Sequence, residues 1–481
     1  MSDLTAEKIV LSDLSDDEND TLNRLLSRLE KTRGRNEKLA AYYDMHRLVR
    51  QVANVLPPMY SKLALTLGWA AKGVDALNRR CTLVDFEWAD GDLASLGGRE
   101  LWDANMLGSE ARQGGLESLI HGPAFIVTTR GGEGEADALI HFRSALDATG
   151  DWNVRTRRLD NLVSIADRDD EGRVTRFTLY LSGKTVSAVR DRGVWSSDVS
   201  THPWGVPADV MPYKPRIRRA FGSSRITRAA RGLQDAGVRE LLRLEGHMDV
   251  YSFPEFWLLG ADETVFKNAD GSVRHVWQTM LGRIKGIPDD QDEDDPALAR
   301  ADVKQFTAAS PEPHLADLNT LAKLVAREYS LPDSSMAITD VSNPTSAEAY
   351  DASQYELIAE AEGTTDDWSP ALRRAYTRAL AIQNGEDAVP DEWRSIVPKW
   401  RNPRFLSRAA EADAGLKQLQ AAPELSGTDV GYELLGLSPE QIASAKGELR
   451  RKAVNGRMDA LIGLAGQQPA VAEAEPDGLA G

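Results

Sequence analysis

The stretch from Phe221 to Gly260 constrains the fold of this chain more than any other. Within it, apolar or small residues recur at steps of three and four, which predicts one stripe along a long helix. We expect this helix over Ser224–Ser252, about 43 Å at 1.5 Å per residue, with Ser223 or Ser224 as its N-cap. The stripe comprises Ile226, Ala230, Leu233, Gly237, Leu241, Leu244, Met248 and Tyr251. The opposite, exposed face is predicted to carry charged residues that include Arg225, Arg228, Arg231 and Glu240.

Taken alone, such a helix is typical of the core of any α-rich protein, but the segments after it narrow the interpretation. A short insert with strand-like pieces leads to a second amphipathic helix at His314–Ser330, which Pro332 ends. The small Ala230 and Gly237 predict a close approach between helices. The strand candidates of the insert are 256–259, 273–277 and 303–307. The apolar face of the second helix comprises Leu318, Leu321 and Val325.

The rest of the chain completes a mixed α+β pattern. Helices are predicted over 22–34, 39–55, 59–77, 101–120 and 438–464, and a strand over 81–88. From residue 124 the apolar period changes to two, which indicates an antiparallel sheet with strands over 124–130, 138–143, 161–166, 173–181, 185–190 and 193–196. A capping box of Thr345 and Glu348 opens another helix. Gly363 and the Ser369-Pro370 pair predict a kink or a restart within it.

Charge and cysteine content exclude several classes of protein. The formal net charge of −17 over 481 residues argues against tight wrapping of nucleic acid, because such binding neutralises phosphates with Lys and Arg. The single cysteine, Cys81, excludes an internal disulfide and a multi-cysteine metal site. No apolar run reaches the roughly 18 residues of a membrane span, and the acidic N-terminus is unlike a signal peptide. We expect a soluble protein folded in a reducing cytoplasm.

The sequence carries no catalytic constellation. The histidines lack the HExxH spacing of a zinc protease, and no G-x-S-x-G elbow is present. Gly183-Lys184-Thr185 resembles the end of a phosphate-binding loop, but Thr178 stands where that loop needs a glycine. We therefore expect no catalytic residue, no metal and no cofactor.

Several phrases stand in a distinctive order between Leu39 and Lys452. They are the Tyr42-Tyr43 pair, GWAAKGVDAL, FGSSRI before LQDAGVRELL, NPTSAEAYDAS after a loop bounded by prolines, and VPKWRNP before RAAEADAGLKQL. Together with the order helix, insert, helix, loop and long helix, these phrases resemble the portal proteins of tailed bacteriophages, in particular of the siphophage group. The resemblance covers most of the chain.

The resemblance implies a portal fold of the α+β class, with long stem and wing helices, an antiparallel β wing, a small mixed α/β clip and a helical crown. It assigns 1–221 to the N-terminal helices and α/β wing, 222–252 to the first stem helix, 253–312 to the clip, 313–331 to the second stem helix, 332–344 to a tunnel loop, 345–400 to a kinked wing helix and strand, 401–466 to C-terminal crown helices and 467–481 to a disordered tail.

The family function then implied is a dodecameric ring at one capsid vertex of the virion, assembled in the cytoplasm of the bacterial host. Double-stranded DNA is packaged and ejected through such a ring with transient, non-specific contact. The implied partners are the terminase, the head–tail adaptor, and the major capsid and scaffold proteins, with no membrane. Enzymatic activity is not expected, since the ATPase is a partner.

The resemblance also gives roles to particular side chains. In the tunnel loop, Met336 and Ile338 are expected to pack between neighbouring loops, and the residues facing DNA would be Asp333, Ser334, Ser335, Asp340, Ser342 and Asn343. The acidic run 289–295 is typical of a solvated, mobile loop. In the alternative, its residues Asp292, Glu293, Asp294 and Asp295 dock a basic partner of the clip.

Two other functions stay open. One is another ring-forming head–tail connector or adaptor, which the chain length and the helix, insert, helix order disfavour. The other is a DNA-processing enzyme with an unrecognised site, which the acidic charge and the missing motifs disfavour.

Overall fold

The computed structural model describes residues 8–46, 65–251, 256–259, 272, 284–287, 302–305, 309–336, 353–404, 408–437 and 439–465. Their contacts divide the chain into two units, Met1–Pro403 and Arg404–Gly481. The helices are α1 Asp16–Tyr43, α2 Trp69–Asn78, α3 Gly98–Ala104, α4 Leu107–His121, α5 Arg228–Tyr251, α6 Glu312–Glu328, α7 Tyr355–Gln383, α8 Arg408–Ala421, α9 Asp429–Leu434 and α10 Pro439–Ala465.

The strands follow the mixed pattern expected from the sequence. They are β1 Leu83–Trp88, β2 Pro123–Arg130, β3 Ala138–Ser144, β4 Ala148–Asn153, β5 Arg158–Arg168, β6 Val174–Leu181, β7 Lys184–Asp191, β8 Val194–Thr201, β9 Ala208–Pro212, β10 Phe256–Leu259, β11 Ile284–Ile287, β12 Asp302–Gln305 and β13 Ile396–Trp400. The fold class is α+β, as predicted.

An antiparallel sheet in the order β4-β5-β6-β7-β8 forms the largest β element. Its apolar face packs against α1, where Leu22, Leu25 and Leu29 meet Val163 and Phe177. Tight turns join its strands at Gly172 and Gly183, and both glycines adopt the positive φ that such turns favour. Gly183-Lys184-Thr185 therefore lies in a turn between strands, where Lys184 pairs with Glu18 at 2.9 Å.

The N-terminal helix differs from the prediction of two helices separated near Gly34. α1 is continuous from Asp16 to Tyr43, with a capping box of Ser15 and Glu18 at its start. Its second half is held by tertiary contacts, because Leu39 and Tyr42 lie in the main core and the Asn36 side chain donates a hydrogen bond to Ala145 O at 2.8 Å. These contacts outweigh the helix cost of about 1 kcal/mol for Gly34.

The single helix predicted over 101–120 is two helices. Met106 has a φ of 46°, a left-handed conformation that ends α3 before α4 begins. The Asn105 side chain, which accepts from Ile140 N at 2.8 Å and donates to Ala138 O at 3.0 Å, fixes this corner against β3. The break thus depends on a contact with a strand that is distant in sequence.

The main core is built on α7, which packs against the sheets β3-β2-β9 and β1-β13. The predicted restart is wrong, because α7 runs as one helix through Gly363 and Pro370, while the alternative of a kink stays a prediction. Trp368 is fully buried beside Pro370 and donates its indole N–H to Pro212 O at 3.1 Å. Burial of this face holds the helix despite the N–H that proline lacks.

The segment between α5 and α6 contributes a small mixed sheet in the order β11-β10-β12. β10 pairs in parallel with β11 and antiparallel with β12. The strand candidates at 256–259 and 303–307 are confirmed in essence, whereas the candidate at 273–277 lies outside the described residues and β11 was missed.

In the second unit, α8 packs closely on α9, because Gly415 of α8 leaves no room for a Cβ beside Leu434 O. Lys446 of α10 pairs with Asp429 of α9. α10 agrees with the helix predicted over 438–464. Throughout the described part of the chain, no helix is long and apolar enough to cross a membrane.

Candidate functional site

α5 and α6 form an antiparallel pair, which we call the helix hairpin. At one end, Thr227 Oγ1 donates to Glu328 Oε1 at 2.5 Å. At the other end, His314 Nδ1 lies 2.6 Å from Glu240 Oε1, and His247 Nε2 lies 3.0 Å from Ala309 O. Both ends of the pair are therefore fastened by polar side chains, and the small mixed sheet lies in the sequence between its two helices.

The first helix of the hairpin begins later than predicted. α5 starts at Arg228, and Thr227 is its cap, because the Thr227 hydroxyl accepts from Ala230 N at 3.1 Å. Ser224, one of the two predicted caps, instead donates to Ile120 O at 2.5 Å and accepts from Ile226 N at 3.0 Å. The residues just before α5 thus bind the protein core.

The buried face of α5 agrees only in part with the predicted stripe. Of the predicted packing residues, the structure buries Ile226, Ala230, Gly237, Leu318 and Val325 and leaves Leu233, Leu241, Leu244 and Leu321 half-buried. Met248 and Tyr251 are exposed, at 45% and 40%. Buried in their place are Gln234, Val238, Glu240 and Leu242. One chain therefore leaves a row of partly exposed apolar side chains along α5.

The close helix approach expected at Gly237 is confirmed. A Cβ on Gly237 would stand 2.5 Å from the Trp69 ring of α2, whereas a Cβ on Gly232 of the same helix would meet nothing within 4 Å. We predict that Gly237→Ala lowers the free energy of unfolding by about 1–3 kcal/mol through overpacking. Gly232→Ala, the matched control, should raise it by up to about 1 kcal/mol, since alanine favours helix. Urea unfolding of both variants checks this, and equal shifts would contradict it.

A buried charged network anchors the start of the hairpin. We call it the anchor network; it consists of Tyr213, Lys214, Arg225, Tyr329 and Glu360. Arg225 is only 4% exposed and joins three elements. Its guanidinium donates to Gly73 O of α2 at 3.1 Å and to Tyr329 O after α6 at 2.7 Å. Its Nη1 lies 2.5 Å from Glu360 Oε1 of α7.

The electrostatics of the anchor network favour the ion pair. Burial raises the pKa of Glu360, but the Arg225 charge and hydrogen bonds from Arg225, Lys214 and Tyr213 outweigh it and bring that pKa to about 2. Three donors converge on Oε1, while Oε2 is buried without a hydrogen-bond partner among the described residues. The carboxylate is therefore held charged at neutral pH, as a structural clamp between α7 and the hairpin.

The sequence did not predict this network. Arg225 and Glu240 were assigned to the exposed face of the long helix, and that assignment is wrong, because both are 4% exposed. One feature could have indicated that Arg225 is buried: it precedes Arg228, where α5 begins, so the periodicity of the helix does not apply to it. Glu360, more than a hundred residues away in the sequence, gave no signal.

The predicted tunnel loop is described only at its beginning. Asp333, Ser334 and Ser335 form a short 3-10 turn, where Asp333 lies 3.7 Å from Arg327 Nη2 and Ser335 O accepts from Lys72. Met336 is 5% exposed in the main core, so its predicted packing between neighbouring loops is wrong. The other predicted site residues of the tunnel loop and of the acidic run lie outside the described ranges; they are Ile338, Asp340, Ser342, Asn343, Asp292, Glu293, Asp294 and Asp295.

Comparisons with known proteins agree with the resemblance seen in the sequence. The family model "Phage portal protein, SPP1 Gp6-like" matches residues 22–424. The chain belongs to this portal protein family. The portal proteins of Mycobacterium phages L5 and D29 are each 26% identical to it over 407 residues, covering 82% of this chain and 82% of each relative.

Membership of the portal family makes the chain a structural component of a bacteriophage virion and not an enzyme. In the part of the chain that is described, no group of three or more His, Cys, Asp or Glu side chains is placed to hold a metal. Two solved structures were also matched, a gene transfer agent virion (TM-score 0.37, 17% identity, 77% of this chain and 90% of that chain) and the neck of a gene transfer agent particle computed with C12 symmetry (TM-score 0.40, 16% identity, 77% and 92%).

Proposed function

We propose that the chain forms a dodecameric ring at one capsid vertex and that double-stranded DNA is packaged and ejected through its channel. The observation that carries the proposal is the family match over 22–424. In this assignment, the helix hairpin is the stem, the β10–β12 sheet belongs to the clip, the five-stranded sheet to the wing, and α8 to α10 to the crown. Assembly takes place in the bacterial host cytoplasm.

The half-buried apolar row on α5 supports a ring. Leu241 and Leu244 are half-buried and lie on a helix whose other face is already packed within its own chain. A second copy that covers this row removes apolar surface from water, which stabilises association. Head-to-tail contacts of this kind close into a ring when the rotation between copies permits it.

The proposed partners bind two regions of the ring, the clip and the part that is seated in the capsid vertex. The terminase docks during packaging and the head–tail adaptor afterwards, at the clip, where the acidic run that includes Asp292, Glu293, Asp294 and Asp295 offers a surface for basic residues. The major capsid and scaffold proteins contact the ring at its vertex.

Contact with DNA is proposed to be transient and non-specific. The net charge of −17 repels phosphates, so few stable cation–phosphate pairs form as DNA slides past. We predict that free duplex binds the purified ring no more tightly than the non-specific range of about 10⁻⁴–10⁻⁶ M at physiological salt, and more weakly as salt rises. Fluorescence anisotropy with two unrelated duplexes measures this. Nanomolar binding to one of the two sequences would contradict the portal function.

A further inference from the structure

A rigid basic loop projects from the first unit between β9 and α5. Tyr213 N donates to Gly122 O at 2.7 Å and Ser223 N donates to Tyr213 O at 2.8 Å, which closes the base of the loop. Gly222 is required there, because its φ is 68° and a Cβ would stand 2.2 Å from Tyr213 O. At the tip, Arg216 and Arg219 exchange both backbone hydrogen bonds, at 3.1 and 2.7 Å. We call residues 214–221 the arginine loop.

The tip of the arginine loop is built for a contact that one chain does not supply. Ile217 is 99% exposed. It stands between Arg216 and Arg218, and among the described residues no carboxylate lies within ion-pair distance of the guanidinium groups of Arg216, Arg218 and Arg219. Partial burial and the charges of Arg219 and Arg231 lower the pKa of Arg35. Like charges are therefore concentrated at this loop, although the chain as a whole is acidic.

A cleft of about 210 Å³ lies elsewhere on the first unit, between α7 and the end of β13. Trp400 is its half-buried apolar residue, and Glu362 and Asp366 are its exposed acidic residues. Arg401, Arg80 and the buried Ala361 and Thr365 also line it. The Arg80 guanidinium donates hydrogen bonds to Pro403 O and to the Gln354 side-chain oxygen. The volume is several times the ~30 Å³ of a water molecule, which leaves room for a four-carbon side chain.

The loop and the cleft lie on different sides of α7. Glu360 faces Tyr213 and Lys214 at the base of the arginine loop. At about 100° per residue, Glu362 and Asp366 lie about 200° and 240° around the helix from Glu360. Two complementary surfaces on opposite sides of one element are what a head-to-tail contact requires.

We propose that the arginine loop of one protomer docks into this cleft of the next, with Ile217 inside the cleft and Arg216 and Arg218 paired with Glu362 and Asp366. The inference rests on the proposed ring and names a contact that closes it. An apolar side chain at the tip favours a protein partner over DNA, because phosphates offer nothing for isoleucine to bury.

Charge reversal on both sides tests the contact in the full-length protein. One variant carries Arg216→Glu with Arg218→Glu, a second carries Glu362→Arg with Asp366→Arg, and a third carries all four changes. Mass photometry over a dilution series should show that each double variant dissociates at a protein concentration at least about tenfold higher, which corresponds to 1.4 kcal/mol. The fourfold variant should recover ring formation.

The matched control is Arg155→Glu with Arg157→Glu in the β4–β5 turn, where exposed arginines also lie beside an exposed apolar side chain, Val154. This variant should form rings like the unmodified chain. A covalent test adds Ile217→Cys and Glu362→Cys to a Cys81→Ala background. Oxidation should then give a ladder of disulfide-linked protomers that neither single cysteine gives, whether or not the charge variants fold well.

The possible outcomes distinguish a failure of the proposed portal function from a failure of the loop–cleft contact. If the unmodified chain forms no ring, the proposed function fails. If it forms rings and the loop variants form them equally well without a cross-linked ladder, the loop–cleft contact is wrong while the portal function stands. If the loop variants keep their rings but lose duplex binding, the arginines contact phosphate, and the inference is overturned in favour of a DNA surface.

Discussion

Replacing Arg225 with methionine should lower the free energy of unfolding by about 3–5 kcal/mol, the usual cost of removing one partner of a buried ion pair. The side chain is 3% exposed and binds Gly73 O, Tyr329 O and Glu360 at once. Methionine fills much of the space but offers no donor, so two buried carbonyl groups and a buried carboxylate lose a partner. Urea unfolding at matched protein concentration measures the change.

The control for this substitution is Arg99→Met, because Arg99 pairs with Asp103 at 3.0 Å while both side chains are 59% exposed. Exposed pairs of this kind contribute at most about 1 kcal/mol. Similar shifts for Arg225→Met and Arg99→Met would contradict the role of the anchor network.

The anchor network also predicts a pH dependence. The pKa of Glu360 is lowered from 4.5 to about 2, so its contribution is fully present above the unfolded value and is lost as pH falls from there through about 2. Because glutamine does not titrate, the Glu360→Gln variant should lose less stability between about pH 5 and pH 2 than the unmodified chain. Parallel pH profiles of stability for the two proteins would mean that folding does not change the pKa of Glu360.

Replacing residues 337–343 by a Gly-Ser linker of equal length should leave ring assembly intact and abolish packaging or retention of DNA. Asp333, Ser335 and Met336 are left in place because Asp333 pairs with Arg327, Ser335 O binds Lys72, and Met336 is buried in the core. Residues 337–343 belong to the proposed tunnel loop 332–344 and include no Lys or Arg, so we expect this segment to contact DNA without holding it. DNase-protected DNA per particle is the measurement.

The same exchange at 131–137, the exposed turn between β2 and β3, is the matched control and should package normally. Normal packaging by both variants would make residues 337–343 a plain connector. Loss of rings in the first variant alone would make them part of the assembly contact instead.

Local patterns predicted the parts of the fold that depend on local physics. The period of two from residue 124 located most strands of the antiparallel sheet. It is clearest in β7, where buried and more exposed residues alternate. β9 was missed because every residue from Ala208 to Pro212 is buried, so no alternation is visible. β4 was missed because Ala148–Asn153 contains Gly150 and polar residues that are typical of turns.

The errors concentrate where distant contacts outweigh local preference. Gly34 and Pro370 were expected to interrupt helices, and buried neighbours such as Leu39 and Trp368 keep both helices continuous. Arg225 was placed on an exposed face because helix periodicity was extended past the true start of α5. Its partners, Gly73 and Glu360, lie in other elements, and no pattern in the sequence joins them.

Electron microscopy of the purified full-length chain tests the central claim most directly. We expect closed rings of uniform size with an axial opening, in which the α5–α6 hairpins of successive copies line the channel. Particles that are only monomers or dimers across a range of protein concentrations, or open filaments without a closed ring, would contradict it.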